Sequence, residues 1–537
     1  TDRSRGLGDV YKRQDIDISI KKEKEKGMYI QILTDKNMPI SEISDALYSS
    51  FAEHLGRSIY EGIYEPGHPL ADEDGFRTDV LELVKGLKLS MVRYPGGNFL
   101  SGYNWRDGIG PKEKRPIKLD LAWKTTETNR FGTDEFMKWC KKAGVEPMMA
   151  VNLGSGSAMD AAELVEYCNH DGETSLTAER KRNGGAQPYR VKMWCLGNEM
   201  DADGQIGHLG AQAYADKAKE AAKLMRYVDE SLELVCCGSC STDAPTYPEW
   251  DRIVLETLYD RVEYLSLHQY FWADNNDNDF YASSVCMDRY IETMAGVCDY
   301  VRTKLRSKKQ MMLSFDEWNI WNIPQSGEAK WGIAPHILED SYTLKDAIVF
   351  ASLLNSLLCH CDRVKCACLA QLVNVIAPII TQKGGAAIRQ TTYYPFALYS
   401  AYARGIAYRP IVIAPKLSSE KHGEFPAISV AIAQQADGTL NVFLSCFADE
   451  TSEVELELRS FGATSCFEHI VMQGELMRRN CFETPDCVKP EEGELVRKRG
   501  EKFTMTAEGV SFHVLRFHTE KSKEGGTIYD GHSKPVL

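Results

Sequence analysis

Residues 193–199 read Met-Trp-Cys-Leu-Gly-Asn-Glu, an apolar run that ends abruptly in an amide and a carboxylate. Residues 312–319, Met-Leu-Ser-Phe-Asp-Glu-Trp-Asn, repeat this order of apolar strand, acid and aromatic side chain. Between about residues 45 and 400, similar short apolar runs alternate with longer amphipathic segments, as in the strand-helix units of a parallel sheet. The predicted strands are Ser58–Tyr60, Ser90–Tyr94, Pro147–Asn152, Val191–Leu196, Leu232–Cys237, Val262–His268, Gln310–Phe315 and Lys365–Leu372.

The number and spacing of these runs predict an α/β fold of the (β/α)₈ TIM barrel type. Eight units that repeat every 30 to 55 residues or so favour a closed barrel over an open dinucleotide-binding sheet. The open sheet would also need a glycine-rich turn after its first strand, and no GxGxxG follows any of the predicted strands.

After residue 400 the pattern changes to strict alternation of apolar and polar residues, which predicts an additional antiparallel β-sandwich domain. Residues 428–434 and 440–445 form a hairpin through the turn Asp437-Gly438. Val454–Leu458 extends this sheet, as does the pair Phe503–Thr506 and Ser511–Phe517, which Glu508-Gly509 links.

Residues 28–33 also alternate and precede the barrel, so we expect them to add a strand to the same sandwich. The first fourteen residues differ sharply in composition from the rest of the chain. The predicted division is a non-native or artefactual segment at 1–14, the N-terminal strand region at 15–44, the barrel at 45–400, the sandwich at 401–520 and a tail at 521–537.

Composition excludes several function classes. The net charge of -14 repels phosphate backbones and anionic lipid, so we expect neither a nucleic-acid nor a membrane partner. No run approaches the roughly 20 apolar residues that cross a bilayer, and no secretory signal precedes the fold, which predicts a cytoplasmic protein. Of the cysteines, Cys237 and Cys240 have CxxC spacing without a second pair, so we expect no metal and no cofactor.

Glu199 and Glu317 are the candidate catalytic residues. They lie 118 residues apart, at the ends of the predicted fourth and seventh strands, so both carboxylates face one mouth of the barrel. Paired carboxylates serve glycosidic cleavage, where one protonates the leaving oxygen and the other attacks the sugar or activates water. Each glutamate alone could instead be a helix cap or an ion-pair partner.

Other predicted strand ends carry groups suited to a sugar ring. Arg93 and Asn98 flank a glycine-containing loop and can meet several hydroxyls, although Arg93 could equally be a buried ion-pair partner. Tyr270 could donate a hydrogen bond to a nucleophilic carboxylate, whereas His268 is more simply interpreted as a core histidine. Flat apolar faces for a sugar are offered by Trp123, Trp318 and Trp321, although each of them could equally be a core residue.

Taken together, these segments closely resemble the family-51 glycoside hydrolases, intracellular α-L-arabinofuranosidases of clan A. The resemblance spans roughly residues 28 to 520. The segments that carry it are Phe51–Arg57, Tyr60–His68, Arg93–Phe99, Ser101–Trp105, Leu121–Asn129, Trp194–Asp201, Ser314–Asn319 and Ala370–Pro378.

The resemblance implies a retaining, exo-acting enzyme that removes terminal arabinofuranosyl residues from arabinan, arabinoxylan or their oligosaccharides. Glu199 would be its general acid/base and Glu317 its nucleophile. It also implies a homo-oligomer, in this family often a hexamer. The residues that match the furanose subsite of the family are Glu53, Arg93, Asn98, Asn198, Tyr270 and Gln371, with the indoles of Trp123 and Trp321 beside them.

One segment departs from the family pattern. Ala202-Asp203-Gly204 stands where Gly-Pro-Trp is common, so the aromatic that would face the leaving-group side is missing. The alternatives are another clan A retaining glycosidase, such as a β-xylosidase or an endoglucanase, and a catalytically silent carbohydrate-binding barrel. A metal-dependent barrel is a third, and we expect no His/Asp/Glu cluster at the strand ends to hold its ion.

Overall fold

The computed structural model describes residues 28–273, 276–323 and 330–520. The predictions for residues 1–14, for 15–27 and for the tail at 521–537 lie outside the described residues. Eight parallel strands close into a barrel, each paired with the next along the chain and the last with the first. They are β1 (Ser49–Phe51), β2 (Met91–Tyr94), β3 (Glu146–Val151), β4 (Met193–Leu196), β5 (Glu233–Cys236), β6 (Tyr264–Phe271), β7 (Met312–Ile320) and β8 (Val364–Ala370).

The predicted TIM barrel is confirmed, but its predicted first strand is wrong. Ser58–Tyr60 lies among turns, and the chain enters the barrel earlier, at Ser49–Phe51. The first two residues of β1 are buried serines, whose hydroxyls donate to Ala46 O and Leu369 O, both at 2.9 Å. Since both hydroxyls have hydrogen-bond partners, serines are tolerated in this buried strand. The strand therefore does not show the apolar run by which the others were predicted.

Helices connect the barrel strands on the outside. The helix predicted to open at Gly132-Thr133 begins at Thr133, where Glu135 accepts from Gly132 N at 2.9 Å. The helices of eight or more residues are Thr78–Gly86, Thr133–Ala143, Ala158–Asn169, Ser175–Arg182, Ala211–Val228, Glu249–Leu258, Ser283–Leu305, Leu344–Cys359 and Tyr393–Tyr402. None of the described helices is long and apolar enough to cross a membrane.

The helix Leu344–Cys359 is buried along most of its length because it lies between the barrel and the sandwich. It starts at a capping box in which Thr343 and Asp346 bond each other's backbone. On the sandwich side, Asn355 Nδ2 donates to Ser429 Oγ at 3.1 Å. The two parts of the chain therefore share a continuous core. The boundary at residue 400 stays a proposal, and the helix Tyr393–Tyr402 runs across it.

The sandwich consists of a seven-stranded and a five-stranded sheet. In order, the larger sheet contains Pro39–Glu42, Ile406–Tyr408, Ile428–Gln434, Leu440–Cys446, Ser511–Thr519, Ala463–Met472 and Glu491–Glu492. The smaller sheet contains Ile411–Ile413, Met28–Asp35, Ser452–Arg459, Lys502–Ala507 and Arg497–Arg499. Two-stranded ribbons are formed by Lys118–Asp120 with Thr125–Glu127, Ile379–Thr381 with Ala387–Arg389, and Lys416–Ser419 with Gly423–Pro426.

The hairpin of Ile428–Gln434 and Leu440–Cys446 forms as predicted. Two details differ from the prediction. Met28–Asp35 joins the sandwich, but it runs parallel to Ser452–Arg459. The link Glu508-Gly509 does not join neighbouring strands of one sheet, because Lys502–Ala507 pairs in the smaller sheet and Ser511–Thr519 in the larger. That turn carries the chain across the core instead.

Candidate active site

The carboxyl ends of the barrel strands bring the predicted catalytic glutamates together. Glu199 follows β4, and Glu317 lies within β7, which runs past the predicted end at Phe315 to Ile320. One carboxylate oxygen of each glutamate and one ring nitrogen of His268 all lie within 4.8 Å of one another. Two acids distant along the chain therefore meet at one point of the barrel mouth.

Glu317 is held by two donors, one on each carboxylate oxygen. Arg93 Nη1 donates to Oε1 at 2.7 Å, and the Tyr270 hydroxyl donates to Oε2 at 2.9 Å. The second arm of the same guanidinium, Nη2, donates to Asn198 Oδ1 at 2.6 Å, and Nε lies 3.7 Å from Asp316 Oδ2. Arg93 is 1% exposed and permanently charged, so it is both the buried ion-pair partner and the group that orients Glu317.

Glu199 has a different environment. Its Oε1 lies 2.9 Å from His268 Nδ1, and its Oε2 accepts from Gln205 Nε2 at 3.0 Å. Burial raises the pKa of Glu199, and the negative charge of Glu317 raises it further. The residue also has a φ of 42°, in the left-handed region that non-glycine residues rarely adopt.

His268 is not the isolated core histidine that the sequence suggested. Its Nε2 lies 3.4 Å from Asp316 Oδ1, and its Nδ1 lies 3.6 Å from Glu317 Oε2 as well as against Glu199. Burial disfavours the charged ring, but the charge of Glu317 and the contacts with Asp316 and Glu199 outweigh it. They raise the pKa of His268 to about 10.

This cluster corrects the expectation that no metal-binding set stands at the strand ends. By distance alone, Glu199, His268 and Glu317 could hold an ion. Arg93 already places a permanent positive charge 2.7 Å from Glu317 Oε1, and that charge disfavours a second cation at the same carboxylate.

Glu53 organises a second group of predicted residues. Its Oε1 accepts from Phe99 N and Trp123 Nε1, both at 2.9 Å, and its Oε2 accepts from Gln371 Nε2 at 3.0 Å. Burial raises the pKa of this carboxyl to about 8 despite the donors. A Cβ on Gly97 would stand 2.4 Å from Glu53 Oε2, which explains why the loop after Arg93 needs glycine there.

Several amides of the site have an unused polar atom. Asn98 Nδ2 donates to Gly204 O at 3.3 Å, whereas its Oδ1 is buried without a partner among the described residues. Asn198 Nδ2 and Gln371 Oε1 are also buried and have no hydrogen-bond partner within the described part of the chain. Buried polar groups normally find partners, so these three atoms are exceptions among the described residues.

The predicted tryptophans separate into two kinds. Trp321 packs edge-on against the Tyr270 ring with centroids 5.2 Å apart, and Trp123 is partly buried beside it. Trp318, by contrast, is completely buried and packs on Phe350, so of the two alternatives it is a core residue and does not face a sugar. Strand alternation accounts for this, because Trp318 points away from its neighbour Glu317.

Besides His268, two residues close to the catalytic glutamates were not among the predicted site residues. Asp316 immediately precedes Glu317, bonds Ser266 and neighbours Arg93 and His268. Gln205 reaches Glu199 from a turn and accepts from Ser101 Oγ at 3.2 Å. Of the two, only Asp316 had a signal in the sequence, its place in the motif of β7.

Comparison with known proteins shows similarity to α-L-arabinofuranosidases. Residues 83–288 match the family model "Alpha-L-arabinofuranosidase 1 domain", and residues 316–511 match "Alpha-L-arabinofuranosidase C-terminal domain". The chain is 49% identical to intracellular exo-α-(1→5)-L-arabinofuranosidase 1 of Bacillus subtilis, over 82% of this chain and 90% of that protein. It is 45% identical to the intracellular exo-α-(1→5)-L-arabinofuranosidase of Halalkalibacterium halodurans, over 90% and 98% of the two chains.

Solved structures show the same similarity. A family-51 α-L-arabinofuranosidase from Bifidobacterium longum superposes with a TM-score of 0.87 at 40% identity, over 91% of this chain and 99% of that one. An arabinose complex of the α-L-arabinofuranosidase from Thermotoga maritima gives a TM-score of 0.82 at 33% identity, over 91% and 99% of the chains.

Proposed function

Because this chain belongs to the family-51 glycoside hydrolases and is an exo-acting α-L-arabinofuranosidase, we propose that Glu317 is its nucleophile and Glu199 its general acid/base. The observation that supports a retaining mechanism is that one carboxylate oxygen of Glu199 and one of Glu317 lie within 4.8 Å of each other. Retaining glycosidases place their carboxyl groups about 5–5.5 Å apart, whereas inverting enzymes leave roughly 6.5–9.5 Å for a water.

In the first step, Glu317 attacks the anomeric carbon, and Glu199 gives its proton to the leaving glycosidic oxygen. In the second step, Glu199 takes a proton from water, whose oxygen attacks the same carbon and releases Glu317. Arg93 and Tyr270 donate to both oxygens of Glu317, so they hold the carboxylate in one orientation for attack. The sugar leaves with its original anomeric configuration.

The raised pKa of Glu199 supports this division of labour. In the free enzyme, burial and the charge of Glu317 both favour protonated Glu199, the form needed for the first step. Once Glu317 is esterified to the sugar, its negative charge is gone, and the pKa of Glu199 falls. The same residue is then ready to act as a base.

For the terminal arabinofuranosyl unit we propose the pocket formed by Glu53, Arg93, Asn98, Asn198, Tyr270 and Gln371, with Trp123 and Trp321 beside it. The unpaired atoms Asn98 Oδ1, Asn198 Nδ2 and Gln371 Oε1 offer both acceptors and a donor to sugar hydroxyls. A ring whose hydroxyls pair with these atoms gains hydrogen bonds that the protein alone does not supply. An analogue without one of these hydroxyls should therefore bind more weakly.

The linkage and setting are proposed from the relatives. Proteins named for α-(1→5) cleavage at 45–49% identity favour α-(1→5)-linked arabinan oligosaccharides as substrates of this chain. Their description as intracellular favours a cytoplasmic enzyme, and family resemblance favours a homo-oligomer such as a hexamer. Analytical ultracentrifugation tests the last point, and a monomer at micromolar concentration would contradict it.

The function is tested by comparing nitrophenyl α-L-arabinofuranoside with nitrophenyl β-D-xyloside. We expect kcat/KM for the arabinofuranoside to be at least about 100-fold higher than for the xyloside. This ratio corresponds to a difference of about 2.7 kcal/mol in transition-state stabilisation. Faster turnover of the xyloside would make the chain a β-xylosidase of the same clan. NMR of the product formed from α-(1→5)-arabinotriose should show retained configuration, and activity should be insensitive to chelator.

A further inference from the structure

Asp316 lies in the barrel interior next to Glu317 and has no part in the reaction steps described above. Between Phe315 and Trp318, strand β7 has one residue more than β8 beside it, and β6 on the other side shows the same difference. Phe315 and Trp318 pack outward against aromatic rings of the helices. A regular strand would turn only one of the two residues between them inward, but the bulge turns both Asp316 and Glu317 into the barrel.

The carboxylate of Asp316 meets groups from three other barrel strands, and the residue is 1% exposed. Its Oδ1 accepts from the Ser266 hydroxyl and lies 3.4 Å from His268 Nε2. Its Oδ2 accepts from the Cys195 thiol at 3.5 Å and lies 3.7 Å from Arg93 Nε. Both nitrogens are buried and make no hydrogen bond within the described ranges, so this carboxylate is the charge that faces them.

His268 connects Asp316 to the general acid/base. Its Nε2 faces Asp316, and its Nδ1 lies 2.9 Å from Glu199 Oε1. Both ring nitrogens therefore face carboxyl oxygens, and a neutral ring could donate a hydrogen to only one of them. A ring protonated on both nitrogens donates to Glu199 Oε1, which leaves Oε2 to carry the proton of Glu199.

Other titratable groups also face this cluster. Glu317 Oε2 lies 3.6 Å from His268 Nδ1, and Asp201, in the loop after β4, has a pKa that burial raises. Arg93 provides the permanent positive charge. Burial raises the pKa of the surrounding thiols and phenol, which stay neutral as a result; these are Cys195 of β4, Cys237 and Cys240 after β5, Tyr270 of β6 and Cys368 of β8.

We propose that Asp316 is a positioning residue that keeps His268 protonated on both nitrogens and so holds the proton of Glu199 on Oε2, free for the leaving oxygen. The proposal rests on the proposed function, because it takes Glu199 as the general acid/base. Glu317 cannot do this throughout the reaction, since it loses its charge when it is esterified to the sugar.

Asp316 forms no bond to the sugar, so its charge persists through both steps. Burial alone would raise the pKa of Asp316, but the contacts with His268 and Arg93 outweigh burial and lower it. In the second step the charged ring of His268 favours ionised Glu199, the form that accepts a proton from water.

The test is the pH dependence of kcat/KM for α-(1→5)-L-arabinobiose, whose leaving sugar needs the proton of Glu199. Asp316→Asn keeps the shape of the side chain but removes its charge, so Glu199 and His268 together lose their first proton more readily. The proton that remains is shared across the 2.9 Å contact between them and is no longer free for the leaving oxygen. We expect the alkaline limb to move to lower pH by about one unit, a loss of about tenfold in kcat/KM on that limb.

Asp134→Asn is the matched control. Asp134 is also a buried aspartate, but it lies in the outer helix Thr133–Ala143, where it accepts from the hydroxyls of Tyr167 and Tyr189. This variant should leave the alkaline limb in place, and thermal midpoints show that both variants are folded. If Asp316 were only structural, Asp316→Asn would lower activity equally across the pH range. That result, or a limb that moves to higher pH, would overturn the proposal.

A second measurement needs no variant and decides the question even if Asp316→Asn does not fold. Neutron diffraction from crystals of the wild-type protein, at the pH of maximal activity, locates the hydrogens of the site. We expect one hydrogen on each ring nitrogen of His268 and one on Glu199 Oε2. A single hydrogen on the ring, with the Glu199 proton directed at Nδ1, would refute the role of Asp316.

These outcomes differ from failure of the proposed function. If the wild-type protein turns over arabinobiose and the limb of Asp316→Asn stays in place, the function stands and only the role of Asp316 is refuted. If the wild-type protein turns over neither arabinobiose nor nitrophenyl α-L-arabinofuranoside, the function fails and the role of Asp316 fails with it.

Discussion

The ends of β4 and β7 have similar sequences, an apolar run followed by polar residues and a glutamate, yet the structure surrounds the two glutamates differently. Glu317 is 6% exposed, lies within β7 and receives a permanently charged arginine. Glu199 is 21% exposed, lies beyond its strand in a left-handed conformation and receives a neutral amide. The imidazole next to it, His268, also contacts Asp316 and Glu317.

This difference shows how one residue type acquires two roles. Arg93, which also neighbours Asp316, and Tyr270 hold both oxygens of Glu317 in one orientation, as a nucleophile needs. Burial beside another negative charge stabilises the protonated form, which a general acid needs. The difference can be tested by removing either carboxylate or one of its donors, with substitutions at Glu317, Glu199, Arg93 and Gln205.

Glu317→Gln should have the largest effect. The amide keeps the size of the side chain but cannot form the ester with the sugar, so kcat on nitrophenyl α-L-arabinofuranoside should fall by about 10⁴-fold or more. Steady-state kinetics measure the loss, and circular dichroism should show an unchanged fold. Activity near that of wild type would remove Glu317 from the role of nucleophile.

Glu199→Ala should separate the two steps. A nitrophenolate leaves without a proton, so the first step continues, while hydrolysis of the ester should slow by about 10²- to 10⁴-fold for lack of a base. Intact mass spectrometry should then show an arabinosyl group attached to the protein. Azide, which attacks without needing a base, should restore turnover in this variant and not in Glu317→Gln.

Arg93→Met should weaken the fold as well as the site. The change leaves the buried Glu317 and Asp316 without their arginine, and breaking a buried ion pair from one side costs about 3–5 kcal/mol. Urea unfolding measures the loss in the free energy of unfolding. Arg93→Lys keeps the charge but not the fork to Asn198, so it should lose less stability than Arg93→Met.

Gln205→Met should have the smallest effect and the most specific one. Gln205 Nε2 donates to the carboxylate of Glu199, so its loss favours the protonated form and raises the pKa of Glu199. Since the first step needs protonated Glu199, activity falls as pH rises through this pKa. The alkaline limb of the kcat/KM profile should therefore move to higher pH, with about a two- to tenfold change in the optimum rate. An unmoved limb would assign Gln205 a purely structural role.

Local sequence patterns were sufficient for much of this structure. Seven predicted apolar runs overlap barrel strands, and the motifs at their ends placed Glu199 and Glu317 at one mouth. The first strand was missed because its polar residues are satisfied: Ser49 bonds Ala46 O three residues earlier, and Ser50 bonds Leu369 O, which only the folded barrel brings near. A pattern of apolar residues alone does not show that buried serine hydroxyls will find hydrogen-bond partners.

The contacts of His268 and Gln205 were unpredictable for a related reason. His268 follows an apolar strand, which is equally typical of a core histidine, and its role depends on three acids from two other strands or loops. Trp318 illustrates the converse case. Its motif suggested the barrel mouth, and the two-residue period of the strand directs it into the core.

The parallel pairing of Met28–Asp35 with Ser452–Arg459 has a consequence for how the protein is made. A ribosome that adds about 5–20 residues per second needs some tens of seconds to reach residue 452 after this strand emerges. Until Ile411–Ile413 is made, the strand has neither of its sheet neighbours, and the barrel can form in the meantime. A nascent chain stalled before Ile411 would carry an unprotected strand, the kind of edge on which chains aggregate.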